Sequence, residues 1–295
     1  MVLLDGKLIS DKIKSEIARE VKENFMDKGV RVPHLAAVLV GEDPASQTYV
    51  AGKEKSCREV GFISSVYKYP DNISEKQLLE VVSFLNMDPD VDGFIVQLPL
   101  PKHISEQRII EAILPSKDVD GFHPVNLGRM VLNLPTYVSA TPFGIMTLLE
   151  RYNVETEGKH CVVLGRSHIV GTPVSILLSR KGTPGNCTVT LCHSYTKDIA
   201  EITRQADILV VAMGKLGFVT ADMVKQGAVV IDVGIHRVPD DGAKSGFRLK
   251  GDVLFDEVSK KCSFITPVPG GVGPMTIVSL VQNTLKAAKK EIVYG

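Results

Sequence analysis

Short apolar runs, most closed by Gly, Pro or Asp, alternate with amphipathic segments along most of this 295-residue chain. That alternation constrains the fold more than any other feature. "HLAAVLVGEDP" (34–44) is a continuous apolar run that ends in Gly and Asp-Pro. It reads as a buried parallel strand followed by a turn. "SSVYKYP" (64–70) and "VDGFIVQLPLP" (91–101) read as further strands. Between them, "SEKQLLEVVSFLN" (74–86) reads as a helix opened by a Ser74 to Gln77 capping box, and "SEQRIIEAILP" (105–115) as another helix. A first helix is expected over 7–28, where Ile9, Ile13, Ile17 and Val21 recur at i+4 steps on one face. Strand–helix alternation implies an α/β fold with a parallel sheet.

The pattern breaks around 120–142, which is loop-like and rich in Asp, Gly and Pro. Long ordered loops inside compact domains are often functional. After a helix over "PFGIMTLLERYNV", a second alternation begins at "KHCVVLGRSHIVGTPVSILLSRKG". It continues through the strands "NCTVTLCHS", "ILVVAMG" and "AVVIDVGIHR" and the helices "DIAEITRQAD" and "TADMVKQG". A polar hairpin-like stretch at 238–251 follows. "SFITPVPGGVGP" then leads into a last amphipathic helix, "MTIVSLVQNTLKAAKKEI". Two α/β domains are expected, one over 1–140 and one over 141–279, and the final helix is free to return to either.

Composition narrows the function. Lys+Arg and Asp+Glu both number 34, so the zero net charge gives no reason to expect nucleic acid or an anionic membrane as partner. The absence of Trp argues against a base-stacking surface. The cysteines are Cys57, Cys161, Cys187, Cys192 and Cys262, an odd number without a Cys-x-x-Cys pair. That points to a reducing compartment, with no disulfide frame and no zinc site. Cys57 and Cys192 are better read as buried thiols than as reactive ones. No apolar run approaches the ~20 residues of a membrane span, and no basic n-region marks a signal peptide. A cytoplasmic protein is expected.

Tyr49 and Lys53, four apart in "TYVAGKEKSC", share one face of a helix that Ser46 is placed to start. The pair sits just past the carboxyl end of a strand, where ligands bind in open α/β sheets. In "VVLGRSHIVGTP", Gly165 ends an apolar strand and Gly171 enters the next helix. The first permits a tight turn and the second a close helix–strand approach, so that the helix amino end offers N–H groups to a pyrophosphate. The next strand ends in His193 and Ser194, with no acid to hold a ribose 2′-hydroxyl. With Arg166 in the glycine turn, this favours NADP over NAD. Asp118 and Asp120 in "KDVDGF" have no His or further acid at ligand spacing, so no metal is expected. Two readings stay open for such a loop Asp: bonding to a ligand N–H edge, or an Asx-turn before Gly121. Gln97 ends a buried strand and needs partners: a ligand, Lys53 or neighbouring backbone. His123, His168 and His193 show no metal or triad spacing and are read as structural. Gly270, Gly271 and Gly273 in "TPVPGGVGPMT" allow close backbone approach by a ligand.

Taken together, "YVAGK", "GFIVQLPLP", "KDVDGFHPVNLG", "GRSHIVGTP" and "ITPVPGGVGPMT" resemble the bifunctional methylenetetrahydrofolate dehydrogenase/methenyltetrahydrofolate cyclohydrolase family. The motifs appear in the family's order and run over nearly the whole chain. The resemblance implies an N-terminal folate-binding α/β domain and a Rossmann-type NADP-binding domain flanking a cleft. It implies that the C-terminal helix, 280–295, packs back on the first domain, and that the protein is a homodimer. It implies Lys53 as the catalytic lysine, Tyr49 as its helper, Gln97 as the residue that tunes it and Asp120 as the pterin anchor. Substrate contacts are implied for Tyr49, Val50, Ala51, Gly52 and Lys53; for Val96, Gln97 and Leu98; for Asp120; and for Pro269, Gly270, Gly271, Val272 and Gly273. Cofactor contacts are implied for Gly165, Arg166, Ser167, Ser194 and Ile235. The implied activity is NADP-dependent oxidation of 5,10-methylenetetrahydrofolate and hydrolysis of the methenyl product to 10-formyltetrahydrofolate.

There are departures. Ala140 stands where relatives often carry Cys, and the chain's length leaves no room for the synthetase domain of some relatives. A short-chain dehydrogenase also uses Tyr-x-x-x-Lys, but there the glycine fingerprint precedes the pair, and here Gly165 follows Lys53. A non-catalytic nucleotide-binding protein would have no reason to keep Lys53, Gln97 and Asp120 together with the Pro/Gly loop.

Overall fold

The computed structural model describes residues 1–243 and 246–294. Positions 244 and 245 of the expected hairpin, and Gly295 of the expected returning segment, lie outside the described residues. The chain divides into two compact units. One comprises Asp11–Ala140 and the chain from Ile277 onward; the other comprises Met1–Ser10 and Thr141–Thr276. The first ten residues therefore do not belong with 11–140. The strand Val2–Leu3 pairs in parallel with Phe264–Ile265, a partner more than 250 residues away that local pattern does not reveal. The last helix runs unbroken over Val272–Ala288, and its residues from Ile277 count with Asp11–Ala140.

The unit built on Asp11–Ala140 holds a three-stranded parallel sheet. His34–Val40 lies between Ile63–Tyr69 and Gly93–Val96. Leu35, Ala36 and Val38 on the central strand are fully buried, as an all-apolar run requires. Phe94, Leu78, Val82, Leu85 and Ile109 close the core on one face of the sheet. The helix Glu75–Met87 carries the expected capping box, with both reciprocal bonds between Ser74 and Gln77.

Two local expectations change. The helix bearing Tyr49 and Lys53 spans Pro44–Glu59; its cap is Asp43, whose carboxylate accepts from the Ser46 N–H at 2.7 Å. Pro44 takes the first helical position, where its missing N–H has no consequence. The expected loop at 120–142 contains the helix Pro124–Val131, again with Pro at its start and with His123 Nδ1 accepting from the Val125 N–H. Its eight residues are too few to show a clear period.

The other unit holds a six-stranded parallel sheet. Its spatial order is Val2–Leu3, Phe264–Ile265, Val229–Asp232, Ile208–Val211, His160–Leu164, Thr188–Cys192. Strand order reverses between His160–Leu164 and Ile208–Val211. Ligands bind beyond the carboxyl ends of the strands at such a switch point. The expected single strand over 228–237 is two, Val229–Asp232 and His236–Pro239. The Asp232 carboxylate turns the chain between them by accepting from the Gly234 N–H at 2.9 Å. His236–Pro239 pairs antiparallel with Phe247–Lys250, so the polar stretch is a hairpin that starts two residues early. The helix expected over 220–227 is a single 3₁₀ turn, Ala221–Met223, without a side-chain cap and followed by Gly227 at φ +81°.

Candidate functional site

The helix Pro44–Glu59 buries Ser46, Val50, Lys53 and Cys57, one stripe at helical spacing. Lys53 thus occupies a position that the pattern reserves for apolar groups, and only 8% of it is exposed. Tyr49 is half-buried one turn earlier, Ala51 is exposed and Gly52 is intermediate. Lys53 Nζ donates to Gln97 Oε1 at 3.0 Å. Gln97 itself is placed by the sheet: its N–H bonds Val38 O at 2.9 Å, and its amide Nε2 donates to Leu98 O at 2.7 Å. Both the lysine and the backbone therefore use the polar end of this buried strand. Val96 is buried beside Gln97, and Leu98 is half-buried.

Asp120 completes this group. Burial pushes its carboxyl above the usual range, and the charge of Lys53 pulls it back down. Burial likewise pushes Lys53 below the ordinary lysine value, against the attraction of Asp120 and, more weakly, Cys57. Burial thus drives both groups toward neutrality while each favours the other's charge. Among the described residues, no donor bonds the Asp120 carboxylate. Its neighbour Asp118 differs. That carboxylate accepts from the His123 N–H at 2.7 Å and from Asn126 Nδ2 at 2.8 Å, so it is committed to the loop's own structure. Of the two acids in "KDVDGF", only Asp120 is available for a ligand. Cys57, behind Lys53, is buried, with its thiol pushed up to about 12 by desolvation, and is unreactive.

Asn283 was not singled out in the sequence. It is fully buried, and its Nδ2 bridges Val119 O and Val138 O at 2.9 Å each, which ties down the backbone next to Asp120. The available signal was a polar residue on the apolar stripe of an amphipathic helix, with Ser279 buried one turn before it.

In the other unit, Gly165 ends the strand His160–Leu164 at φ +110°. A Cβ there would sit 2.1 Å from Ala212 O, across the switch point, and one at Gly171 would sit 1.9 Å from Gly165 O. Both positions admit only glycine. Gly165→Ala is expected to destabilise the protein by more than the ~1–2 kcal/mol of a left-handed L-residue, because the overlap adds to that strain. Urea unfolding within 0.5 kcal/mol of wild type (roughly the scatter of surface substitutions) would show that the turn relaxes instead.

The helix that follows, Gly171–Ser179, differs from expectation in one respect. Its first N–H groups are taken: Ser167 Oγ accepts from Val170 and Gly171, and Ser167 O accepts from Thr172. Pro173 has none. The N–H groups left without a partner among the described residues are those of Arg166, Ser167, His168 and Ile169, in the turn rather than the helix. These, with an exposed Arg166 and an exposed Ser194, suit a phosphorylated dinucleotide, and no carboxylate stands at the end of Thr188–Cys192 to repel a 2′-phosphate. Ile235 is exposed, and a Cβ on Gly273 would lie 3.6 Å from its Cδ1. In the Pro/Gly loop, Pro269 is exposed, Gly270 has φ +104°, and Gly271 and Val272 are buried. A Cβ on Gly271 would meet Pro267 O at 2.6 Å. No cluster of three His, Cys, Asp or Glu able to hold a metal occurs among the described residues, and none of their helices is long and apolar enough to cross a membrane.

Residues 4–120 match the family model of the tetrahydrofolate dehydrogenase/cyclohydrolase catalytic domain, and residues 139–292 match that of the tetrahydrofolate dehydrogenase/cyclohydrolase NAD(P)-binding domain. The bifunctional protein FolD of Cytophaga hutchinsonii is 65% identical over 288 residues, which cover 98% of this chain and 99% of that one. The crystal structure of the bifunctional enzyme FolD, methylenetetrahydrofolate dehydrogenase/cyclohydrolase, from Campylobacter jejuni is 48% identical with a TM-score of 0.92, covering 99% of this chain and 100% of that one. The Trypanosoma brucei methylenetetrahydrofolate dehydrogenase-cyclohydrolase, solved with NADP cofactor and inhibitor, is 39% identical with a TM-score of 0.93, covering 99% of each chain.

Proposed function

The chain belongs to the tetrahydrofolate dehydrogenase/cyclohydrolase family, and from that premise we propose that Lys53, Gln97 and Asp120 carry its folate chemistry. The protein is a bifunctional enzyme that oxidises 5,10-methylenetetrahydrofolate with NADP⁺ and hydrolyses 5,10-methenyltetrahydrofolate to 10-formyltetrahydrofolate. NADP⁺, when bound, accepts the hydride.

The observation that carries the assignment is the buried Lys53 amine, bonded to Gln97 and facing the charge of Asp120. Hydrolysis adds water to the cationic methenyl carbon; both protons leave the water oxygen, one passing to the ring nitrogen as the C–N bond opens and the other to solvent. A group that takes and gives a proton near neutral pH is required. Burial moves the Lys53 amine from the ordinary lysine value toward that range. Gln97 Oε1 accepts a Lys53 N–H and so directs the lone pair, while Tyr49 on the preceding turn assists. Asp120 accepts from the pterin N–H edge and fixes the substrate's pose. Val50, Ala51, Gly52, Val96 and Leu98 provide contact surface for folate. A rise in methenyl absorbance on adding 5,10-methylenetetrahydrofolate and NADP⁺, followed by its decay, tests both activities. A rise without enzyme-dependent decay would remove the second.

The cofactor assignment has its own test. Arg166 and Ser194 bind the 2′-phosphate, Ser167 shapes the turn for the pyrophosphate, and Gly165 and Ile235 line the site. Arg166→Ala is expected to weaken NADP⁺ by roughly tenfold to a hundredfold, the loss of a charge-assisted bond, with little change for NAD⁺. Calorimetric titration of both cofactors measures it. Equal weakening would assign Arg166 to the shared pyrophosphate.

Two finer readings rest on the family resemblance: the enzyme acts as a homodimer, and it works in the cytoplasm. Sedimentation equilibrium and cell fractionation test them; a monomer, or an enzyme recovered outside the cytoplasm, removes the corresponding reading.

A further inference from the structure

Asn126 is 0% exposed, and all four of its hydrogen-bonding positions are occupied. Its Nδ2 donates to Pro115 O at 3.0 Å and to Asp118 Oδ2 at 2.8 Å. Both of these accept, Pro115 O as a carbonyl and Asp118 Oδ2 as the oxygen that also takes the His123 N–H, so the amide nitrogen must face them. Its Oδ1 is thereby turned toward two hydroxyls that must donate: Thr136 at 2.8 Å and Tyr294 at 2.5 Å. Tyr294 comes from the far end of the sequence, after the last helix. Its ring is held by two neighbours, and the residue before it by a third contact. The Arg129 guanidinium lies over its ring at 4.9 Å, Arg129 Nη2 donates to Val293 O at 3.1 Å, and the Tyr137 ring packs at 6.2 Å. Tyr137 in turn bonds Ser116 O at 3.2 Å.

These contacts converge on one short segment. Residues 115–119 are fixed by Asn126 at Pro115 and Asp118, by Tyr137 at Ser116, by the Phe94 N–H at Lys117 O, and by Asn283 at Val119 O. The next residue is Asp120. Its carboxylate has no donor among the described residues, so its place is set by the backbone: the fixed segment before it, and the Ala140 N–H donated to its own O at 3.3 Å. The same segment is bridged to the strand that delivers Gln97, through Phe94 and Asp118.

We propose that Tyr294 is a positioning residue for the folate site: through Asn126 and Asp118 it holds the backbone that aims Asp120 at the pterin. The inference rests on the assignment of Asp120 as pterin anchor. The Asn126 amide is fully satisfied, and a satisfied buried amide defines a single arrangement, whereas loss of the Tyr294 hydroxyl leaves its Oδ1 short of a donor and the arrangement loose. The substitution therefore acts on folate binding and not on the cofactor.

Three proteins test it against wild type: Tyr294→Phe, a chain ending at Ile292, and Asp120→Ala. Tyr294→Phe is expected to raise the KM for 5,10-methylenetetrahydrofolate by roughly two- to tenfold, the range of one hydrogen bond. The shortened chain is expected to raise it further. The NADP⁺ affinity should stay at the wild-type value, and both activities should lose the same factor in kcat/KM. An unchanged folate KM in Tyr294→Phe, with only the thermal midpoint lowered, would reduce Tyr294 to a structural residue and overturn the proposal. Equal losses toward NADP⁺ would do the same. If the shortened chain fails to fold, Tyr294→Phe still decides. Asp120→Ala separates the two layers. A raised folate KM there with none in the Tyr294 variants removes the clamp alone. An unaffected folate KM in Asp120→Ala removes the anchor, and the clamp with it.

Discussion

Lys53→Met is expected to fold normally and to lose cyclohydrolase activity by roughly a hundredfold to ten-thousandfold, about 3–5 kcal/mol of barrier. Met has nearly the length of Lys and suits a buried stripe shared with Val50 and Cys57. It removes the proton carrier without opening a cavity. The dehydrogenase should suffer less, because hydride departure needs no proton donor at the transferred carbon. Methenyl decay, NADPH formation and thermal unfolding measured on one preparation give the comparison; near-normal hydrolysis would sink the assignment. The stability of the variant should also depend differently on pH. Burial lowers the Lys53 pKa in the folded state, so between that value and the ordinary lysine value the unfolded chain binds more protons. Stability of the wild type therefore rises with pH across that window and falls as pH drops through it. Met has no such proton, so the variant gains on the wild type as pH falls through the window.

The sequence made legible what depends on local pattern. All-apolar runs such as 35–40 became central parallel strands, since a strand buried on both faces has no polar side to alternate with. Gly165 was legible because a tight turn at a strand end demands a residue without Cβ. The long-range pairings were not. Val2–Leu3 joins the far edge of the six-stranded sheet, and two residues carry no period that would announce it. Asp118 and Asp120 share one motif and one residue type. Only the fold separates them, by presenting Asn126 and the His123 N–H to the first and Lys53 to the second. The Ser167 hydroxyl was likewise opaque. It accepts from the Val170 and Gly171 N–H groups from within the turn, so the N–H groups without a partner among the described residues are the turn's and not the helix's.

Removal of Asp120, the acid whose charge acts on Lys53, separates binding from proton transfer. Asp120→Ala is expected to lower kcat/KM for both reactions by roughly tenfold to a hundredfold, the loss of charge-assisted hydrogen bonds to the pterin edge. Both reactions should fall together, because one folate pose serves both. Stability should hold, since no protein donor among the described residues is left unpaired when the carboxylate goes. The substitution also acts on Lys53. Asp120 is the charge that raises the lysine's pKa against burial, so its loss should move the pH limb of hydrolysis that reports Lys53 further toward acid. The direction is diagnostic. A base that loses a neighbouring anion titrates at lower pH, whereas a limb that belonged to Asp120 itself would vanish. If Asp120→Ala keeps folate affinity, abolishes hydrolysis and erases that limb, Asp120 is the proton-transfer group and the roles given to the two residues must be exchanged.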